Sequence, residues 1–167
     1  MYDYPLFIVT GGSGSGKTSI SIELGKVLTE QGVLDMDFLV VDNDFGIASN
    51  NSLMIAKFNA LCEKGTVLFG NVPYSYDITK SELFSYFTNV HFIYLYCRKK
   101  ERTKRLKERE VWSDENIIHE ISLANHMLQE YKNRDSSALI LDTTSSSPED
   151  IAIKIKLYVL EKTQNSF

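Results

Sequence analysis

Eight consecutive residues near the N-terminus restrict the possible folds of this chain more than any other segment. They read Gly-Gly-Ser-Gly-Ser-Gly-Lys-Thr over 11–18 and match G-x-x-x-x-G-K-[ST] at every fixed position. An apolar, β-branched run over 6–10 precedes them, and apolar residues at helical spacing follow from Lys17. Glycines between a strand and a helix let backbone N–H groups point at phosphate oxygens. The segment therefore predicts a phosphate-binding loop, or P-loop, for a nucleoside triphosphate.

The side chains of this loop are those that a triphosphate and its metal ion require. We expect Lys17 to reach the β- and γ-phosphates and to be catalytic, and the Thr18 hydroxyl to ligate Mg²⁺. The sequence thus predicts ATP and Mg²⁺ as cofactors. The predicted nucleotide-binding residues of this segment are Gly11, Gly12, Ser13, Gly14, Ser15, Gly16, Lys17, Thr18 and Ser19.

Apolar runs and helical patterns alternate along the rest of the chain. The predicted strands are 6–10, 38–41, 67–69, 91–97 and 138–141. The predicted helices are 17–30, 52–63, 79–87, 98–109, 113–134 and a last one from 147. This alternation predicts an α/β fold with a five-stranded parallel sheet between two layers of helices. A length of 167 residues fits one domain, 1–167.

Charge is distributed unevenly and limits the classes of partner. Residues 98–109 carry eight basic and two acidic side chains, whereas the whole chain has a net charge of −4. An acidic body with one basic segment argues against a nucleic-acid-binding protein. No apolar run approaches the roughly 20 residues of a membrane span, and the N-terminus lacks the pattern of a signal peptide. The composition predicts a cytoplasmic protein that binds neither nucleic acid nor a membrane.

A pair of acids follows the second predicted strand. Asp42-Asn43-Asp44 places two carboxylates where that strand would end, beside the P-loop. One carboxylate at such a place can hold a water of Mg²⁺, and the other can orient or deprotonate an attacking hydroxyl. A turn rich in Asp and Asn is the alternative interpretation.

Three features together resemble the shikimate kinase and gluconate kinase group: the P-loop, the Asp-x-Asp pair, and a glycine that ends the third strand. The resemblance implies a three-layer P-loop NTPase fold with strand order 2-3-1-4-5 and a short lid. It also implies that Asp42 lies near the metal and that Asp44 binds the acceptor hydroxyl and acts as the catalytic base. Gly70 is implied to contact the acceptor.

Four arginines of the basic segment share one helical face. Arg98, Arg102, Arg105 and Arg109 are spaced four, three and four residues apart. A solvated basic face is the ordinary explanation of such a run. Planar guanidinium groups also suit stacking on a base and bidentate binding of phosphate.

The place of this segment after the fourth strand resembles the lid of nucleoside monophosphate kinases and their relatives. The resemblance implies a lid at about 98–115, with Arg105 over the base and Arg109 as a catalytic contact of the transferring phosphate. It further implies that the loop after the fifth strand, which contains Thr143, packs around the base.

Missing arginines restrict the acceptor. Nucleoside monophosphate kinases usually hold the phosphate of the acceptor with arginine between strands two and three, yet no arginine precedes Arg98. The predicted acceptor region, 44–64, has Lys57 and Lys64 as its cations. We therefore predict ATP- and Mg²⁺-dependent phosphoryl transfer to a hydroxyl of a small neutral metabolite, a nucleoside or sugar-like compound. The alternatives are a nucleoside monophosphate kinase, or an ATP-binding regulatory protein that hydrolyses ATP slowly.

Overall fold

The computed structural model describes residues 4–70, 78–134 and 139–164. The strands are β1 (Leu6–Thr10), β2 (Gly32–Asp35), β3 (Thr66–Phe69), β4 (Val90–Tyr96) and β5 (Leu139–Asp142). The helices within those ranges are α1 (Lys17–Val27), α2 (Phe45–Leu61), α3 (Lys99–Lys107), α4 (Asp114–Arg134) and α5 (Pro148–Gln164). The strands form one parallel sheet in the order β2-β3-β1-β4-β5, which confirms the predicted fold and strand order.

Strand β1 is central and buried on both faces, which explains its uninterrupted apolar sequence. Phe7 and Val9 lie in a core cluster with residues of α1 and α5. Leu6 and Ile8 point to the opposite face, into a cluster with residues of α2. Because β1 is held from both sides and pairs with β3 and β4, its C-terminal end presents the P-loop at the middle of the sheet edge.

The second strand was predicted in the wrong place. It comprises Gly32–Asp35, whereas the predicted strand 38–41 overlaps a 3₁₀ turn and a solvent-facing loop. Phe38 and Val41 are 72% and 65% exposed. β2 lies at the edge of the sheet, so a short, half-buried pair of apolar residues is enough to anchor it there. The longer apolar run after it does not enter the sheet.

Because β2 ends at Asp35, the pair Asp42 and Asp44 does not end a strand, and that prediction is wrong. Asp42 and Asn43 have φ of 53° and 59°, the left-handed conformation that Asp and Asn tolerate in turns. Asp44 caps α2, since its Oδ1 accepts a hydrogen bond from the N–H of Ile47 at 2.9 Å. The alternative interpretation, a turn, matches the structure, and α2 begins at Phe45 instead of 52.

Other boundaries also differ from prediction. Helix α1 ends at Val27 because the chain turns at once into β2, where Gly32 donates to the carbonyl of Gly65 at 3.0 Å. The predicted helix 79–87 consists of two short 3₁₀ segments, Ile78–Lys80 and Glu82–Tyr86. Among the helices described, none is long and apolar enough to cross a bilayer.

The cap of α2 makes a stability prediction. Asp44→Ala should lower the free energy of unfolding by about 1 kcal/mol, because the Ile47 N–H loses its side-chain acceptor. Urea denaturation measures the change, and Asp44→Asn, which keeps an acceptor oxygen, is the matched control. Equal stability of Asp44→Ala and Asp44→Asn would contradict the assignment of Asp44 as a cap.

Candidate functional site

The backbone of the P-loop has the conformation that a phosphate cradle needs. Gly14 and Gly16 have φ of 82° and 95°, a region that side chains disfavour. At Gly11 an added Cβ would lie 2.6 Å from the carbonyl oxygen of Leu95, so β4 leaves no room for a side chain. The loop leads directly into α1 at Lys17.

Lys17 carries a buried positive charge at the centre of the site. Its side chain is 7% exposed, and Nζ donates to the carbonyl oxygen of Gly11 at 2.8 Å. Burial lowers the pKa of Lys17, and the negative charges of Asp37, Asp35 and Glu120 oppose that change. An ammonium group held here beside a glycine-rich loop can bind phosphate oxygens.

Asp35 and Asp37 occupy the place at the end of β2 that was predicted for Asp42 and Asp44. Asp35 is buried, and its Oδ2 accepts a hydrogen bond from the Ser21 hydroxyl of α1 at 3.4 Å. The other oxygen of Asp35 accepts from the N–H of Asp37 at 3.1 Å. Partial burial raises the pKa of Asp37, the Lys17 charge lowers it, and Asp35 raises it again. The Asp-x-Asp spacing thus exists at the strand end, seven residues earlier than predicted.

Gly70 ends β3 next to these acids. Its N–H donates to the carbonyl of Val9 at 3.1 Å, and an added Cβ would lie 3.1 Å from Cε of Met36. Met36 lies between Asp35 and Asp37 in the sequence. The glycine after the third strand was predicted to lie near an Asp-x-Asp pair, and it does, but the acids are Asp35 and Asp37 instead of Asp42 and Asp44.

A cavity of about 430 Å³ lies on the other side of the P-loop. Its walls come from the P-loop and α1, from the C-terminal part of α3, and from the loop that joins β5 to α5. The lining residues are Gly14, Ser15, Gly16, Ser19, Ile20, Arg105, Glu108, Arg109, Thr143, Ser146, Ser147, Pro148 and Ile151. The volume and the adjoining helix N-terminus suit a nucleoside whose phosphates enter the P-loop.

Arg105 and Thr143 connect the walls of this cavity. Arg105 donates to the carbonyl oxygens of Thr143 at 2.8 Å and of Gly14 at 3.4 Å. The Thr143 hydroxyl donates to the carbonyl oxygen of Ser15 at 2.9 Å. Sequence analysis placed both residues near the base, and the structure brings both to the nucleotide-side cavity.

The other arginines of the basic segment have different surroundings. Arg109 is exposed at the cavity, whereas Arg98 lies outside it at the start of α3. Arg102 is 4% exposed and donates to the backbone carbonyl of Glu120 at 3.0 Å. Its side chain packs under the P-loop, where an added Cβ at Gly14 would lie 2.8 Å from Arg102 Cγ. Burial lowers the pKa of Arg102.

The residues present fit Mg²⁺ bound through the triphosphate. Thr18 is exposed at the first turn of α1. Asp35 ends β2, which β3 separates from β1, and both of its carboxylate oxygens accept hydrogen bonds. In the part of the chain that the structure describes, no group of three or more His, Cys, Asp or Glu side chains forms a cage of its own. Mg²⁺ commonly binds this way, through one or two protein oxygens, waters and substrate phosphates.

Three solved structures of similar fold are all kinases by description. Shikimate kinase from Acinetobacter baumannii, in complex with shikimate, is 18% identical with a TM-score of 0.58, covering 96% of this chain and 95% of that chain. A sugar kinase from Janibacter sp. HTCC2649 is 15% identical with a TM-score of 0.63, covering 98% of each chain. A gluconokinase from Sinorhizobium meliloti 1021 is 15% identical with a TM-score of 0.59, and the match covers 98% of this chain and 95% of that chain.

These similarities establish the fold, which is that of the small P-loop kinases and of the group that the sequence resembles. No family model and no curated protein matches the chain.

The buried charge of Lys17 predicts a pH dependence of stability. The folded state releases this proton at a lower pH than the unfolded state, whose ordinary value is near 10.5. Between the two pKa values the unfolded chain binds more protons, so folding stability rises with pH. The stability of the wild type relative to Lys17→Met should therefore rise as pH increases from neutral toward 10.5.

Urea denaturation of the nucleotide-free proteins over that pH range measures the difference. Lys26→Met, at an exposed lysine of the same helix, is the matched control. The two variants are compared through the change that each makes in the free energy of unfolding of the wild type. If the change for Lys17→Met varied with pH in the same way as the change for Lys26→Met, burial would not lower the pKa of Lys17.

Proposed function

We propose that this protein is a small-molecule kinase that transfers the γ-phosphate of ATP, with Mg²⁺, to a hydroxyl of a neutral metabolite such as a nucleoside or sugar-like compound. The observation that carries the proposal is the position of Asp35 and Asp37 at the end of the strand beside β3, with their charges acting on Lys17. The likeness of the fold to shikimate kinase, a sugar kinase and gluconokinase supports a kinase.

The nucleotide half of the site uses the P-loop and the cavity next to it. In the proposed reaction Lys17 and the loop amides hold the phosphates, and Thr18 and Asp35 hold Mg²⁺ directly or through water. The metal ion supplies charge neutralisation at the phosphate oxygens. Arg105, fixed by its bonds to Gly14 and Thr143, lies against the base, and Arg109 offsets negative charge on the transferring group.

The acceptor half uses Asp37. The acceptor oxygen attacks the γ-phosphorus, its proton passes to the Asp37 carboxylate, and the bond to the leaving ADP oxygen breaks. A carboxylate whose pKa partial burial has raised is a stronger base than a fully solvated one. These roles replace the ones predicted for Asp42 and Asp44, because the latter acids belong to a turn and a helix cap.

A nucleoside monophosphate kinase is the less favoured activity. Within the described part of the acceptor side, acidic side chains face Lys17 and no arginine precedes Arg98. An acceptor that already carries a phosphate would meet two carboxylates, Asp35 and Asp37, without an arginine from this region to balance it.

The experiment is ADP release from the purified protein with Mg²⁺ and ATP, with and without nucleosides, nucleoside monophosphates and sugars. An active acceptor should raise the rate well above the basal one, and Lys17→Ala should abolish the increase. Asp37→Asn should lower the acceptor-stimulated rate by at least about 100-fold because it removes the base. Asp44→Asn, at the α2 cap, should leave that rate unchanged.

If none of these compounds raised the rate of ADP release, the proposed kinase activity would be rejected for these classes of acceptor. If ATP still raised the melting temperature of the wild type and not of Lys17→Ala, the result would favour an ATP-binding regulatory protein. Equal losses in Asp37→Asn and Asp44→Asn would overturn the assignment of the base.

A further inference from the structure

We propose that Glu120 of helix α4 is a specificity residue of the acceptor site and selects acceptors that carry an amine or no charge over acceptors that carry a carboxylate. The inference rests on the proposed kinase function and identifies the class of acceptor. No sequence pattern singles out Glu120, which is one of several acids on a long amphipathic helix.

Helix α4 lies directly on the P-loop at the turn that contains Glu120. An added Cβ at Gly12 would lie 2.3 Å from Cβ of Ala124, so the two backbones are in close contact. Glu120 precedes Ala124 by four residues and therefore shares its helical face. The hydroxyl of Tyr94 donates to the carbonyl of Ala124 at 2.9 Å and ties this turn to β4. Glu120 is thus held over the loop by packing on both sides.

One carboxylate oxygen of Glu120 has no hydrogen-bond donor among the described residues, although Glu120 and the neighbouring Arg102 interact through their charges. The side chain is half-buried, and Oε2 is inaccessible and accepts no hydrogen bond from the described residues. The neighbouring Arg102 donates to the backbone carbonyl of Glu120 instead of to its carboxylate. A buried carboxylate oxygen without a donor is costly, and a ligand hydroxyl or ammonium group would satisfy it.

Charges of both signs surround Lys17, and the acids among them lie outside the wall of the nucleotide-side cavity. The nucleotide-side cavity is lined by Arg105 and Arg109, and Glu120 does not contribute to its wall. Glu120 joins Asp35 and Asp37 as the acids whose charge acts on Lys17. These three carboxylates come from β2, the turn after it and α4, so they approach the lysine from different elements.

This distribution separates two kinds of ligand. Cations in the cavity wall attract the polyphosphate, while the three acids near Lys17, which lie outside that wall, repel a second anion and attract a cation. Shikimate and gluconate carry a carboxylate, and two of the proteins of similar fold are a shikimate kinase and a gluconokinase. We therefore expect the acceptor of this chain to differ from them in charge, although the fold is shared.

A structural role of Glu120 makes a different prediction. If Glu120 served only to balance the buried Arg102, its removal would change the stability of the free protein and leave the choice of ligand unaffected. The preference among ligands that differ only in charge is therefore the readout that separates the two roles.

The test uses three six-carbon polyols of one shape: gluconate, sorbitol and 1-amino-1-deoxysorbitol, which are negative, neutral and positive at neutral pH. Their binding is measured by calorimetry on the full chain loaded with Mg²⁺ and a non-hydrolysable ATP analogue. Their effect on ADP release is measured separately with ATP. The variants are Glu120→Gln and, as the matched control, Glu115→Gln at an exposed acid in the first turn of the same helix.

The wild type should bind the amine and the neutral polyol more tightly than gluconate. Glu120→Gln should reduce the preference for the amine over gluconate by about tenfold, the size of one close charge interaction, and Glu115→Gln should keep it. Tighter binding of gluconate, binding of none of the three, or an unchanged preference in Glu120→Gln would overturn the assignment. Charge-selective binding without any stimulated ADP release would support the role of Glu120 and count against the kinase.

Discussion

The buried ammonium group of Lys17 is the interaction on which the arrangement of the site depends. A lone buried cation is costly, and this one is held by the Gly11 carbonyl and by the field of three carboxylates. The acids must stay close enough to Lys17 to offset its desolvation, and far enough to leave room for phosphate. That requirement explains why the turn after β2 and helix α4 both converge on the loop, although the chain separates them widely.

The features that sequence analysis predicted correctly depend on local pattern. The P-loop is a contiguous motif between a strand and a helix, and β1 is a fully apolar strand because it lies at the centre of the sheet. Arg105 and Thr143 were found through their place after strands four and five, and both line the cavity. Elements of this kind carry their own signal, since neighbours along the chain determine their structure.

The features that were missed depend on tertiary context. β2 is a half-buried edge strand of four residues, so its apolar signal is weaker than that of the exposed run after it. The acids were therefore assigned seven residues too late. Glu120 looks like any surface acid of an amphipathic helix, because only the packing of Ala124 on Gly12 directs that face at the loop. Arg102 belongs to a basic face that looks solvated, yet it is buried under the same loop.

The contact between Gly12 and Ala124 has a consequence for how such a protein can diverge. The helix that carries Glu120 is in van der Waals contact with the loop that holds the triphosphate, so a change of acceptor that shifts α4 also disturbs the nucleotide site. Evolution of a new specificity is therefore constrained to exchange side chains on α4 without moving its backbone.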